Sequence, residues 1–199
     1  MRGVMYEVPQ HVLDWRKETG ADRFDEMWDG VVHMNPVPNR DHEGLGLDLY
    51  SWLRHHWARP RRAKIFRERN VAIPGGWPRD YRVPDLVLMT PDRLPQDKNE
   101  YIEGPPSVVI EIRSPGDASY EKLAFYGELG VPEVWVIHRD TKVPEIFVFT
   151  GRMSEPAAPD ADGWFRSAAT PVMLRATSST KLASQLSGED GSYLELPEE

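Results

Sequence analysis

Val83-Pro-Asp-Leu-Val-Leu-Met89 and Val108-Val-Ile-Glu-Ile112 are short apolar runs, each with one acid inside it. Runs of this length, bounded by Pro and Gly clusters, read as strands buried on both faces. An ionised carboxylate inside such a strand is costly unless something positive compensates it, and a bound cation is one solution. Asp85 and Glu111 are therefore candidates for chemistry; the plainer alternative is that each sits at a strand end and is solvated. Downstream, a helix is expected from about Asp117, capped by Asp117 or Ser119 and closed by Gly130 just past its end. Lys122 then falls in the first turn and shares a face with Phe125, Tyr126 and Leu129, the face that should pack inward. A cation there opposes the helix dipole. It needs an acidic partner or an anionic ligand, unless its stem packs while its head reaches water.

Pro84-Asp85, Glu111-Ile-Arg-Ser-Pro115, Lys122 and Tyr126-Gly-Glu-Leu-Gly-Val-Pro-Glu-Val-Trp-Val-Ile137 follow one another in an order that resembles the Uma-type restriction endonuclease family. That family belongs to the restriction-endonuclease-like superfamily with the signature PD-(D/E)-x-K. The resemblance covers roughly residues 20–150. Two residues after Glu111 stands Arg113, where the superfamily has Lys; the matching lysine is Lys122 on the next helix. The resemblance implies a mixed sheet flanked by helices and metal-dependent hydrolysis of phosphodiester bonds, with DNA the expected substrate. It also implies Asp85, Glu111 and Lys122 as the catalytic set. Asp85, Glu111 and the backbone carbonyl of Ile112 would then hold Mg2+ or Mn2+. Glu43, on an earlier helix, matches an acid that reaches the metal in this superfamily, and His42 resembles a histidine common there. The alternatives are a surface acid that complements the helix dipole and a cap-region packing residue.

The 199-residue chain is long enough for one domain with a sizeable core, a nuclease-like part over about 20–150 and a C-terminal addition over about 151–199. Its 40% hydrophobic and 28% charged residues are ordinary for a soluble globular protein. With no cysteine, disulfides and thiolate zinc sites are excluded. The first residues lack the apolar core of a signal peptide, and no run approaches the ~18 apolar residues of a membrane span, so a cytoplasmic location is expected. A net charge of −8 argues against coating nucleic acid by bulk electrostatics, though not against a local basic groove.

Outward from the central stretch, residues 9–19 suggest a short helix. Phe24 to Met34 around Asp29-Gly30 reads as a hairpin. A helix is expected from about His42 to Ala58, capped by Asn39 or Asp41. Ala63 to Ile73 reads as one strand. Arg61, Arg62, Lys64 and Arg67 lie in the one basic tract, interleaved with aromatics; they and Arg113 are the candidate phosphate contacts. A solvated helix end and edge strand is the bland reading of the same tract. Residues 90–106 form a long polar connection, either a substrate-facing flap or a plain connector. Glu133–Ile137, Glu145–Phe149, Trp164–Ala168 and Val172–Arg175 read as further strands, and the final Ser-, Gly- and Glu-rich stretch as peripheral. The sequence of strands and helices is that of a mixed α/β (α+β) sheet covered on both sides.

Ser119-Tyr-Glu-Lys122 fits the S-x-x-K of penicillin-recognising enzymes, but the companion motifs are missing. A glycosidase would use two carboxylates and leave the inward lysine unexplained. The histidines are too scattered for zinc. The competing class is a non-catalytic nucleic-acid-binding or assembly module on the same fold. Cleavage of both strands of a duplex would favour a homodimer.

Overall fold

The computed structural model describes residues 3–5, 8–178 and 180–197. The chain opens with β1 (Gly3–Met5), α1 (Gln10–Thr19), β2 (Glu26–Trp28), β3 (Val31–Met34) and α2 (Arg40–Trp52), which runs on through a wider π-type turn over Leu53–Ala58. Next come β4 (Lys64–Arg67), β5 (Val71–Ala72), β6 (Tyr81–Arg82), β7 (Leu86–Met89), β8 (Ile102–Glu103) and β9 (Val108–Arg113). They are followed by α3 (Leu123–Leu129), β10 (Glu133–His138), β11 (Pro144–Thr150) and β12 (Met153–Pro156). Four strands end the chain: β13 (Phe165–Arg166), β14 (Val172–Ser178), β15 (Lys181–Leu186) and β16 (Glu189–Leu196).

The central sheet has the order β12-β11-β10-β9-β7-β4. Only β9 and β10 are parallel in it, and a parallel pair needs a crossover, which α3 provides. Side-chain alternation divides the sheet's residues between two cores. Leu86, Leu88, Ile110, Ile112, Trp135 and Ile137 face Leu45, Leu49 and Leu53 of the α2 segment. Val87, Met89, Val109, Val134 and Val136 face Phe125, Tyr126 and Leu129 of α3. The sheet is thus mixed and flanked by a helix on each face, as the order of elements predicts.

The second sheet, β1-β3-β2-β6-β5-β8, is built on the expected hairpin: Asp29 and Gly30 both have positive φ, 49° and 81°. The expected strand over Ala63–Ile73 is two strands. Glu68, at φ 49°, turns the chain out of the central sheet after β4 and hands it to β5 in the second. The 90–106 connection is no open flap: it holds a 3-10 turn over Pro91–Gln96, and β8 pairs with β5. The final stretch forms a third sheet, β13-β14-β15-β16. Its Val172, Leu174, Leu182, Leu186 and Leu196 share the core of α2, and Trp52 Nε1 donates to the Ser192 carbonyl at 2.7 Å. No helix among the described residues is long and apolar enough to cross a membrane.

Within α3, Gly127 lets the helix settle on its neighbours. A Cβ there would stand 2.9 Å from the Arg152 carbonyl oxygen and 2.9 Å from the Phe149 ring. Alanine normally gains up to about 1 kcal/mol over glycine in a helix. Here overpacking of about 1–3 kcal/mol opposes that gain. Gly127→Ala should therefore lower the urea midpoint, a net loss of up to about 2 kcal/mol, against the direction of helix propensity.

Candidate active site

Asp85 stands immediately before β7 and takes the place of its next ladder bond. Its Oδ2 accepts the backbone N–H of Ile112 at 2.6 Å. Its Oδ1 lies 2.8 Å from His42 Nε2. His42 sits in the first turn of α2, where the Asn39 side chain caps the helix by accepting the His42 N–H at 3.0 Å. The other ring nitrogen of His42 is 3.3 Å from Ser114 Oγ, which also accepts from Arg139 Nη1 at 3.3 Å.

Glu111 lies two residues beyond Val109 and on the same face, under α3. Its Oε1 accepts from the Tyr126 hydroxyl at 2.6 Å and its Oε2 from Lys122 Nζ at 3.0 Å. Lys122 is not inside the helix's first turn as expected; it is the residue before α3. Asp117 does not cap the helix, because its carboxylate is taken up by Ser114 N, Ser119 N and Ser119 Oγ in the preceding turn. The inward face is nevertheless as read, with Lys122, Phe125, Tyr126 and Leu129 all buried.

The acid that sequence reading missed is Glu26, 1% exposed in β2. Its Oε1 is 2.7 Å from Lys122 Nζ and accepts the Val83 N–H at 2.9 Å, while Oε2 accepts from Trp28 Nε1 at 2.8 Å. The hairpin signal placed Glu26 in a strand without saying which sheet or which partner it would meet. Tyr126 was legible as an inward residue but not as the donor to Glu111.

Asp85, Glu111 and Lys122 all line one cavity of about 290 Å3, with His42, Ser114, Ser119 and Arg139 also in its wall. Glu111 is 3% and Lys122 7% exposed, so both lie at the floor. Burial pushes the Glu111 carboxyl up, Lys122 and the Tyr126 hydrogen bond oppose this, and the charges of Asp85 and Glu26 add to it, leaving it at about 8. For Lys122 burial acts downward, but Glu111 and Glu26 outweigh it and hold the ammonium charged. Burial also lowers His42, and the hydrogen bond and charge of Asp85, followed by Glu111 and Asp117, more than reverse the shift. Burial, then the charges of Glu111 and Glu26, drive the Tyr126 hydroxyl well up, so it stays a donor. The site offers three carboxylates, one fixed ammonium and an oriented imidazole. Among the described residues no group of three or more His, Asp or Glu side chains is arranged as a ready metal cage.

The remaining sequence candidates are dispersed. Glu43 is exposed on α2 and borders a small cleft shared with His42, Arg67, Glu68 and Asp85. In the β4–β7 register Arg67 lies opposite Leu86, at the Asp85 end, whereas Lys64 lies opposite Met89. Lys64 is thus about 10 Å farther along the strand, with Arg61 and Arg62 beyond it. Arg61 pairs with Glu189 at 2.8 Å, and Arg62 is exposed. Arg113 follows Glu111 on the strand and rests over the Tyr120 ring at 4.8 Å.

The family model described as "Putative restriction endonuclease" (Uma2) matches residues 9–175. Among solved structures, the chain is similar to "a putative nuclease belonging to DUF820" from Anabaena variabilis ATCC 29413. The likeness has 23% identity and a TM-score of 0.53, and covers 69% of this chain and 78% of that one. At that identity the likeness bears on the fold alone, which is restriction-endonuclease-like. Comparison with curated proteins gives no match. Spanning most of the sequence, including both apolar runs and the Lys122 turn, the family match shows that the chain belongs to the Uma2 restriction endonuclease family.

Proposed function

We propose that the cavity hydrolyses phosphodiester bonds of nucleic acid, DNA foremost, with a divalent cation, Mg2+ or Mn2+, held by Asp85 and Glu111. The observation that carries this reading is the meeting of Asp85, Glu111 and Lys122 in one cavity from three separate elements. The donor set fits a hard cation. Asp85 and Glu111 offer carboxylate oxygens, each with a second lone pair beside its hydrogen bond. The upward shift of Glu111 comes first from burial, with the charges of Asp85 and Glu26 added, and a cation bound beside it would oppose both. Ile112 gives its N–H to Asp85, and in a strand the carbonyl of the same residue faces the same edge, so it is the natural third oxygen. Glu43 borders a small cleft with Asp85 and would be a further acid near that carboxylate. With few protein ligands, water and substrate fill the remaining positions, as Mg2+ tolerates.

When bound, such a cation supplies charge neutralisation at the phosphate and a more acidic water. The chain's own groups do the rest. Lys122, held between Glu26 and Glu111, presents its ammonium to the negative charge that builds on the phosphorus oxygens. His42 and the Ile112 N–H fix the plane of the Asp85 carboxylate, and Tyr126 fixes that of Glu111. On this reading the partner is nucleic acid in a cytoplasmic setting, and a homodimer would be needed only to cut both strands.

Lys122→Met keeps the volume but still leaves two buried carboxylates unpaired, a loss of about 3–5 kcal/mol, so it is assayed below its lowered Tm and beside the isosteric acid variants. Asp85→Asn, Glu111→Gln and Lys122→Met should each cut plasmid or oligonucleotide cleavage at least about 100-fold, with circular dichroism unchanged. EDTA should stop the parent enzyme. Cleavage that survives all three substitutions, or a binding activity indifferent to chelator, would point instead to the non-catalytic module.

The raised Glu111 gives a second test, with a sign. Between the ordinary 4.5 and about 8 the folded chain keeps a proton that the unfolded chain has lost. The stability this group contributes is full below 4.5 and is lost as the pH rises through 8. A cation bound to the carboxylate takes the proton's place. Mn2+ should therefore raise Tm more at pH ~9 than at pH ~6, and Glu111→Gln should flatten that difference.

A further inference from the structure

We propose that the substrate of this site is one unpaired strand of nucleic acid rather than an intact duplex; the proposal rests on the hydrolytic reading above. Glu111 and Lys122 lie at the floor of the cavity, with the half-buried Asp85 above them, and the segment 35–39 and the turn 114–119 contribute to its walls. Both walls are fixed. Asn35 Nδ2 donates to the Phe24 carbonyl at 3.0 Å, Asn39 caps α2, and Pro36 and Pro38 set the backbone between them. In the other wall the Asp117 carboxylate accepts from Ser119 N at 3.0 Å and Ser119 Oγ at 2.8 Å. To bring a duplex phosphate to the floor, the strand must sink between the walls, and the walls must then enter the grooves on its two sides. A major groove about 12 Å wide can take a chain segment; a minor groove about 6 Å wide cannot take a second one with its side chains. A single strand carries no such restriction.

The chemistry of the walls agrees. A protein that grips a duplex neutralises several phosphates with cations. Here the cavity lining offers only one lysine, Lys122, for the reacting phosphate, and one arginine, Arg139, whose Nε is already bound to Asp140 at 2.7 Å. Beside Asn35, Asn39, Ser114 and Ser119 the walls carry apolar side chains: Phe24, Pro36, Val37, Val83 and Ala118. Val37 is 69% exposed at the mouth, flanked by two prolines. Such a surface suits the face of an unstacked base, which only an unpaired strand offers. The space of about 290 Å3 suits one nucleotide unit at a time.

The test presents one labelled oligonucleotide alone, annealed to its complement, and as a duplex with an unpaired overhang, each with Mn2+. The single strand should be cut at least about tenfold faster than the duplex, and the overhang cut within its unpaired part. Equal or faster cutting of the duplex overturns the proposal. Fluorescence anisotropy on Glu111→Gln separates this outcome from failure of the hydrolytic reading. Tighter binding of the single strand by about tenfold, with no cleavage by the parent, keeps the substrate class and rejects the hydrolysis. Equal binding of both forms rejects the substrate class. Val37→Asp, at an exposed position, should leave Tm unchanged and weaken single-strand binding several-fold; unaltered binding would reject the role given to the apolar rim.

Discussion

A charged lysine is held inside this protein by two carboxylates from different sheets. Lys122 reaches Glu26 of the hairpin at 2.7 Å and Glu111 of the central sheet at 3.0 Å, with all three side chains nearly sealed from water. Burial of an ion pair costs several kcal/mol per ion before attraction repays it, so such a group is poor evidence of stability. It is better evidence of a constraint. The same three residues fix where the second sheet sits on the central one, where α3 starts, and what lies at the cavity floor. Arg82 repeats the device a layer away, with its guanidinium 4.3 Å from the Trp28 ring and 4.0 Å from that of Phe125, and bound to the Met27 carbonyl at 2.8 Å. Two buried cations therefore join the hairpin to the α3 side of the molecule.

What was legible in the sequence follows from locality. The second apolar run, the Asp-Gly turn and the glycine after α3 are each decided by a few neighbouring residues and lie where periodicity and turn chemistry put them. The first run is a strand only from Leu86, leaving Asp85 at its end rather than inside it. Alternation then fixes the parity of residues 109 and 111, so Glu111 had to face whatever covered Val109. Glu26 was not legible. An acid in a three-residue hairpin strand is normally solvated, and only the pairing of β2 with β6 carries it to Lys122. The break between β4 and β5 was hidden for a related reason. Glu68 is not a residue that announces positive φ, and its N–H is held by the carbonyl of Asp85, the residue before β7. The start of α3 was misplaced because Asp117 had two local uses, and the Ser114–Ser119 turn took it.

The basic tract shows how composition can mislead about surface charge. Seven cations between Arg54 and Arg69 suggest a phosphate-binding face in an otherwise acidic chain. In the fold the tract spreads along the length of β4 and over to a neighbouring sheet, and carboxylates meet much of it. Arg61 has Glu189, Lys64 and Arg69 have Asp97, and Arg67 has Glu68. Each carboxylate beside a cation also offsets the positive potential that the tract would otherwise present to a phosphate.

That neutralisation bears on which functional class the molecule suits. A binding module would need a coherent positive surface, and the described ion pairs use up much of the charge from which one could be built. A hydrolytic site has the opposite requirement. Once Glu111 is ionised, three carboxylates around one ammonium repel a phosphate, and a dication taking the place of the Glu111 proton would make the site attractive to it. On the proposed reading, affinity and reactivity then depend on the same ion. The protein can stay acidic as a whole because the positive charge that draws the substrate is brought to the site rather than encoded in the chain.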